Sequence, residues 1–254
     1  MRAKINIALF WLSLLLFFTL ASYQVEWVIA GLTWAWLVFV IGLQIGAHRY
    51  FTHSSFVANR FQAGVMNVMA ILGGMGTPQD WMVAHIAHHK YADTDKDPTN
   101  WRVIGLWKNY SSLWQLNVPI LPHSVKLVVR SLKDPFALFL HNNYVFVLTG
   151  WGLLLLALSV KAFTWLFLLP IIVGHLGMNL LNHIGHLGDG QERKTSTSWF
   201  FNIITPGDGY HDFHHQNPRQ YRFGRFDLLA LLIDLFLKSK LKEYDGRSNP
   251  QGNL

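Results

Sequence analysis

Residues 84–91 read AHIAHHKY and place His85, His88 and His89 within five positions of an otherwise oily chain. On a helix, positions i, i+3 and i+4 share one face, so these three imidazoles project to the same side. The spacing returns in HDFHH, with His211, His214 and His215, and two pairs accompany it: His48 and His53 in HRYFTH, His183 and His186 in NHIGH. Imidazole is a common metal ligand. One HxxHH alone is compatible with chance or with a small zinc site, but two copies beside an HxxxxH are read as a metal centre. His48 and His53 lie about 140° apart on an ideal helix, so that helix is expected to end or bend between them. The isolated His123, His141 and His175 are read as packed or solvated.

The 254 residues are 51% hydrophobic and 14% charged, with 11 Trp and 18 Phe. A soluble domain carries about a quarter charged residues. With a positive mean hydropathy, the composition is that of an integral membrane protein. There is no cysteine, which excludes disulfides and thiolate metal sites. The net charge of +7 is scattered, without an aromatic-basic groove. Membrane lipid, not nucleic acid, is therefore the expected partner.

Four stretches, 5–23, 27–47, 144–160 and 163–181, match the roughly 20 apolar residues of a spanning helix. They are expected to pair as two hairpins, linked near Glu26 and near Lys161. The expected fold is an all-α integral membrane protein: four transmembrane helices in two hairpins plus a cytosolic helical cap. The whole chain, 1–254, is read as a single domain, with 48–143 and 182–242 forming the cap that carries the histidines. The first stretch is read as a retained helix and not a cleaved signal, because its hairpin partner follows at once. Segment 61–76 holds Gln62 and Asn67 and ends in the GGMG run. It is expected to be re-entrant or peripheral, since a fifth span would separate the histidine groups across the bilayer. Of the 21 basic residues, only Lys161 falls in a hairpin link. The positive-inside rule then makes the histidine face cytoplasmic, in the cell inner membrane or the endoplasmic reticulum. The polar tail after Lys238 is expected to fray.

Eight or nine imidazoles are too many for one tetrahedral zinc. Two ions with four or five ligands each fit better, although imidazole suits iron, copper, nickel and zinc alike. An oxygen-activating pair beside a bilayer would act on a lipid chain.

HRYFTH, HIAHHKYADTDKDP, NHIGH and GDGYHDFHHQNP follow one another between about Gly46 and Arg222. In order and spacing they resemble the boxes of the membrane fatty-acid desaturases, HRxxTH, HRxHHxxxDxxxDP, NxxxH and GExxHNxHHxFP, in the Δ9 acyl-CoA (stearoyl-CoA-type) branch. A third box that begins with His, not Gln, argues against front-end desaturases. HRYFTH in place of HECGH argues against the Δ12 and ω3 branch.

The resemblance implies nine iron ligands, His48, His53, His85, His88, His89, His186, His211, His214 and His215, with Asn182 reaching one iron through a water. His183 has no counterpart in that set. Asp97, with Pro98, is expected to orient a ligand or fix a turn. The implied cofactors are two Fe2+ ions with O2, and electrons come from an external donor, such as ferredoxin or cytochrome b5 with its reductase, as no haem-binding domain is appended. The implied substrate is a saturated fatty-acyl chain, linked to CoA, a carrier protein or a lipid, with CoA favoured. The expected product is a cis double bond at Δ9. Gly76, Trp81 and Asn179 lie near ligands in sequence and are candidates for the substrate tunnel. Three positions depart from the boxes without removing a ligand: Ile86 for Arg, Asp208 for Glu and Asn217 for Phe. The nearest rival is a related di-iron lipid or carotenoid hydroxylase or ketolase. A rival of another class, a non-enzymatic membrane metal-handling protein, needs ionisable groups along the spans, where only His175 stands.

Overall fold

The second apolar stretch organises the fold. In the computed structural model, which describes residues 2–188, 202, 205 and 207–238, it begins as α2 (Val25–Leu37) and continues without a break as a π-helix, Val38–Thr52. Nearly every side chain of that π-helical half is buried. Around it pack α3 (Arg60–Leu72), α4 (Pro78–Tyr91) and α11 (Leu169–Ile184).

α1 (Arg2–Leu20) precedes this central helix and runs back along α11. Its Trp11, Leu12, Leu15 and Phe18 face outward, as expected of a helix whose outer side meets lipid. α9 (Tyr144–Leu158) follows a cap built from α5 (Trp101–Ile104), α6 (Leu106–Tyr110), α7 (Pro122–Ser131) and α8 (Pro135–Asn142). After α9, the chain continues through α10 (Val160–Phe163) and a π-helical turn, Thr164–Leu168, into α11. The described chain closes with two short helices, α12 (His211–Gln216) and α13 (Leu228–Leu232), the second continuing as a π-helical turn, Ile233–Leu237. Among the described residues every regular element is helical.

Among the described residues, three continuous helices are long and apolar enough to cross a membrane: Arg2–Leu20, Val25–Thr52 and Val160–Ile184. The expected third stretch, 144–160, differs. Its helix stops at Leu158 after 15 residues, about 22 Å at 1.5 Å per residue and short of a roughly 30 Å hydrocarbon core. It reaches spanning length only together with α8, across a 74° bend. The link is also displaced from Lys161. Ser159 leaves helical geometry at φ −172° and caps the next helix through the Ala162 amide, so Lys161 lies inside α10. Lys161 Nζ donates to Gln24 Oε1 at 2.7 Å, which puts the two inter-helix links at the same end. At the other end Arg2 bonds Asp80 and the carbonyl of His141.

Segment 61–76 forms α3 and the turn after it. Asn59 and Gln62 cap each other's backbone amides at the start of α3, at 2.8–2.9 Å, a reciprocal N-terminal capping box. α3 lies directly on the central helix because Gly42 and Gly46 face it: a Cβ at Gly42 would stand 2.4 Å from the Met69 carbonyl carbon. Small residues four apart are the usual means of bringing two helix backbones together in a membrane. The run Gly73–Gly76 reverses the chain, with Gly74 and Gly76 at φ +71° and +102°. The Asp80 carboxylate then accepts from the Thr77 amide at 2.9 Å and starts α4. The expected tail after Lys238, and parts of the 182–242 region, lie outside the described residues.

Candidate metal centre

Four pieces of chain bring nine imidazoles together. His48 and His53 come from the end of the central helix, His85, His88 and His89 from α4, His186 from just beyond α11, and His211, His214 and His215 from α12. They form two groups. His48, His53, His85, His89 and His214 make one, and His88, His186, His211 and His215 the other; within each, the donor atoms lie within 4.8 Å of one another. These nine are the histidines that the box resemblance singles out.

Two details add to the sequence reading. The central helix does end between His48 and His53, at Thr52 with His53 as its C-terminal cap, but it is π-helical up to that point. The His53 amide donates to the His48 carbonyl, five residues back, at 3.2 Å. A helix bonded i→i+5 takes up roughly one more residue per turn than an α-helix. Residues five apart therefore approach one face, and the two ring centroids lie 5.1 Å apart. Each HxxHH triplet, moreover, divides between the groups. His88 leaves His85 and His89, and His214 leaves His211 and His215.

The donor geometry fits metal ions. Nitrogens about 2.0–2.1 Å from one centre, and about 90–110° apart, stand about 2.9–3.4 Å from each other. In the four-histidine group the Nε2 atoms close a ring, His88–His186–His211–His215, with edges of 3.2, 3.0, 3.1 and 3.2 Å. In the five-histidine group Nε2 contacts of 2.9–3.0 Å join His48, His214, His89, His85 and His53.

Partners at the far side of two rings fix their tautomers. His88 Nδ1–H donates to the Asp97 carboxylate at 3.0 Å, and His186 Nδ1–H to Asp93 Oδ1 at 3.0 Å. In the neutral rings this leaves both Nε2 atoms bare, yet they face each other at 3.2 Å. Two lone pairs in that position repel unless a metal ion or a proton lies between them. The donor set thus fits a metal ion on geometry as well as on motif.

Burial, and then the neighbouring imidazoles, hold the rings of His85, His89, His211, His214 and His215 well below the usual histidine pKa. They are therefore neutral and ready to ligate at pH 7. His88 goes the other way: burial pulls it down, but the Asp97 carboxylate outweighs burial and raises it.

A buried ion cluster ties the first box to the third. Arg49, fully buried, donates to Asp208 at 3.0 Å, to Asp227 at 3.0 Å and to the Tyr221 carbonyl at 2.5 Å. Its guanidinium lies 3.9 Å from the Phe223 ring centre, and that ring packs on His214 at 4.8 Å. Burial raises Asp208 to about 6 despite Arg49.

Asn182 is buried, and its Nδ2 has no hydrogen-bond partner. Trp81 stacks on His85, with centroids 5.3 Å apart and planes at 20°. Gly76 and Asn179 belong to an interior polar network. The Gly76 amide donates to the Tyr144 hydroxyl, and Asn179 bonds Trp114 and Ser112 at 2.8 Å. His183 stands apart from both groups, with Tyr110 Oη 2.7 Å from its Nδ1 and Trp101 against its ring. His175 is held by Ser112 and the Gly74 carbonyl, His141 by Arg2 and Thr77, and His123 is exposed. Ile86, where the boxes carry Arg, packs against the core.

Sequence reasoning missed Arg49, Asp227, Asp93 and Arg102, the last of which donates to the His186 carbonyl. A signal existed for two of them. Asp93 and Asp97 are the fixed acids of the second box, and Asp227 opens an apolar run, DLLALL, that needs an N-cap.

Comparison with known proteins agrees with this site. A sequence model described as fatty acid desaturase matches residues 26–241. The chain belongs to the fatty acid desaturase family. The sn-1 stearoyl-lipid 9-desaturase of Anabaena variabilis is 28% identical over 201 residues, which cover 74% of this chain and 71% of the relative. The protein of the same description from Synechocystis sp. is 26% identical over 208 residues, covering 78% and 64%. Acyl-CoA desaturase 1 of Saccharomyces cerevisiae is 26% identical over 196 residues, covering 72% and 38%. The chain thus spans less than two thirds of the length of the second and third of these relatives. Family membership places this desaturase-family chain among the oxidoreductases of lipid metabolism, with two histidine groups able to hold metal.

Proposed function

We propose that this protein is an O2-dependent di-iron desaturase that introduces a cis double bond, at Δ9, into a saturated acyl chain held in a membrane. The observation that carries the proposal is the convergence of nine imidazoles from four distant segments into two groups. When bound, the iron pair supplies O2 activation: two electrons and two protons join the two hydrogens of adjacent methylenes in reducing O2 to two waters.

This chain's residues do the rest. His48, His53, His85, His89 and His214 would hold one ion. His88, His186, His211 and His215 would hold the other, with the unpartnered Asn182 amide available to orient a water there. Asp97 and Asp93 keep His88 and His186 in the tautomer that ligates. Trp81, flat against His85, is the proposed wall that positions the acyl carbon, with Gly76 and Asn179 proposed further along the same path. Orientation of an unactivated methylene decides which hydrogen is lost.

Electrons come from a separate one-electron carrier of the ferredoxin or cytochrome b5 kind. His89 and His215, partly buried and stacked 4.4 Å apart, one from each group, are proposed as its place of approach. The histidine face is proposed as cytoplasmic, in the cell inner membrane or the endoplasmic reticulum.

The proposed acyl carrier is CoA. A lipid-linked chain is the second reading, favoured by the names of the cyanobacterial relatives, both stearoyl-lipid desaturases. Expression in a host lacking unsaturated fatty acids tests the function. A cis-monounsaturated product is expected, and hydroxy acids in its place would overturn the desaturase reading in favour of the hydroxylase. Purified protein assayed with stearoyl-CoA and with stearoyl-glycerolipid vesicles distinguishes the carriers.

A further inference from the structure

The carboxylate support of the donor rings is uneven. Among the described residues, the two imidazoles with an acid at Nδ1, His88 with Asp97 and His186 with Asp93, belong to the four-histidine group. The supports are themselves well held. The Asp97 carboxylate also accepts from the Thr99 amide and hydroxyl at 2.9 Å and from the Asp93 amide at 3.2 Å. In the five-histidine group, by contrast, His48 Nδ1 and His214 Nδ1 are buried without a partner among the described residues. A ring N–H that donates to a carboxylate makes the opposite nitrogen a stronger donor and locks its direction. Two such acids also offset the charge of a divalent ion, whereas buried, unpartnered rings leave that charge uncompensated.

We infer that Asp93 and Asp97 are positioning residues that make the two metal sites unequal, so that the four-histidine group fills first and holds its ion more tightly. The inference rests on the di-iron reading above. The five-histidine group, with softer support, is the site whose ion is lost first on dialysis.

The test is anaerobic titration of metal-free, full-length protein in detergent with 57Fe2+, followed by Mössbauer spectroscopy, a readout independent of turnover. In the wild type the first equivalent is expected to give one quadrupole doublet and the second equivalent another of equal area. Asp97→Asn and Asp93→Asn are each expected to weaken the first step by about 10–100-fold and to leave the second doublet's affinity unchanged. Asp97→Glu is expected to restore part of the order of filling. Two doublets growing in parallel in the wild type overturn the inference, as does equal weakening of both steps in the variants. The wild-type titration needs no variant, so misfolding of either substitution does not shield the claim. Wild-type protein that takes up no iron overturns the di-iron reading itself, and this inference with it.

Discussion

His88 and His186 turn their Nε2 atoms toward each other at 3.2 Å while each ring gives its Nδ1–H to a carboxylate. This one relationship separates a candidate ligand from a packed histidine. A satisfied core histidine, such as His175 between Ser112 and the Gly74 carbonyl, has both nitrogens engaged by protein. His88 and His186 each keep one nitrogen bare and aim it at the other.

Replacing His88 with Ala removes one corner of the four-donor ring. Turnover is expected to fall below detection and iron content to drop from about two to about one per chain. Membrane insertion should be unchanged. His183→Ala, which touches Tyr110 and Trp101 and neither group, should keep its iron. Elemental analysis of the two purified variants checks both outcomes, and equal loss from each would contradict the assignment.

Arg49→Ala leaves the buried carboxylates of Asp208 and Asp227 without their cation. Breaking a buried ion pair from one side costs about 3–5 kcal/mol. The variant should unfold in detergent at markedly lower temperature, and the segment after Tyr210 should become protease-sensitive before the spanning helices do. Arg49→Lys, a point charge without the planar fork, should recover only part of the loss. Thermal aggregation with limited proteolysis reads both.

Gly42→Leu drives a side chain into the α3 backbone at Met69 and Ala70. Overpacking of that kind costs about 1–3 kcal/mol, and α3 must move away from the central helix. Because α3 leads through the Gly73–Gly76 turn into α4, displacement there should also lower metal retention. Gly150→Leu, at a position with open space around it, is the control expected to show neither effect in the same dialysis experiment.

Acid should destabilise the metal-free protein. In the unfolded chain its imidazoles take up protons near pH 6.5; in the fold, those of His85, His89, His211, His214 and His215 do so only well below that. The unfolded state therefore binds more protons as pH falls below 6.5, and stability drops through that range. His88 opposes the trend, since its raised value adds stability below pH 6.5 that is lost as pH rises through it. Melting temperature against pH, with and without Fe2+, should show the slope in the metal-free protein and flatten when metal is bound.

The sequence carried the histidines well because their spacing is local: two HxxHH triplets on helices, and pairs at helix ends. The division of each triplet between two groups was not legible, since it depends on how α4 and α12 cross. The π-helix escaped for a different reason. An apolar run such as VFVIGLQIG states that a helix is buried and says nothing of its hydrogen-bond register. The early end of α9 was hidden in the same way, because Leu158-Ser159-Val160 is as apolar as its surroundings while the Ser159 hydroxyl accepts the Ala162 amide and starts a new helix. Arg49 read as a box residue without a task, as its partners lie more than 150 positions away.

The scattering of the nine donors along the chain has a consequence for biosynthesis. His48 leaves the ribosome long before His215, and the second group has no donor except His88 until His186 follows the last long apolar helix. No complete nitrogen cage exists while the polypeptide is still being inserted, so capture of a metal would be a late event on an already embedded chain. A nascent protein starved of that metal would then reach the bilayer with its helices in place and its polar face open, ready for rescue when the metal arrives.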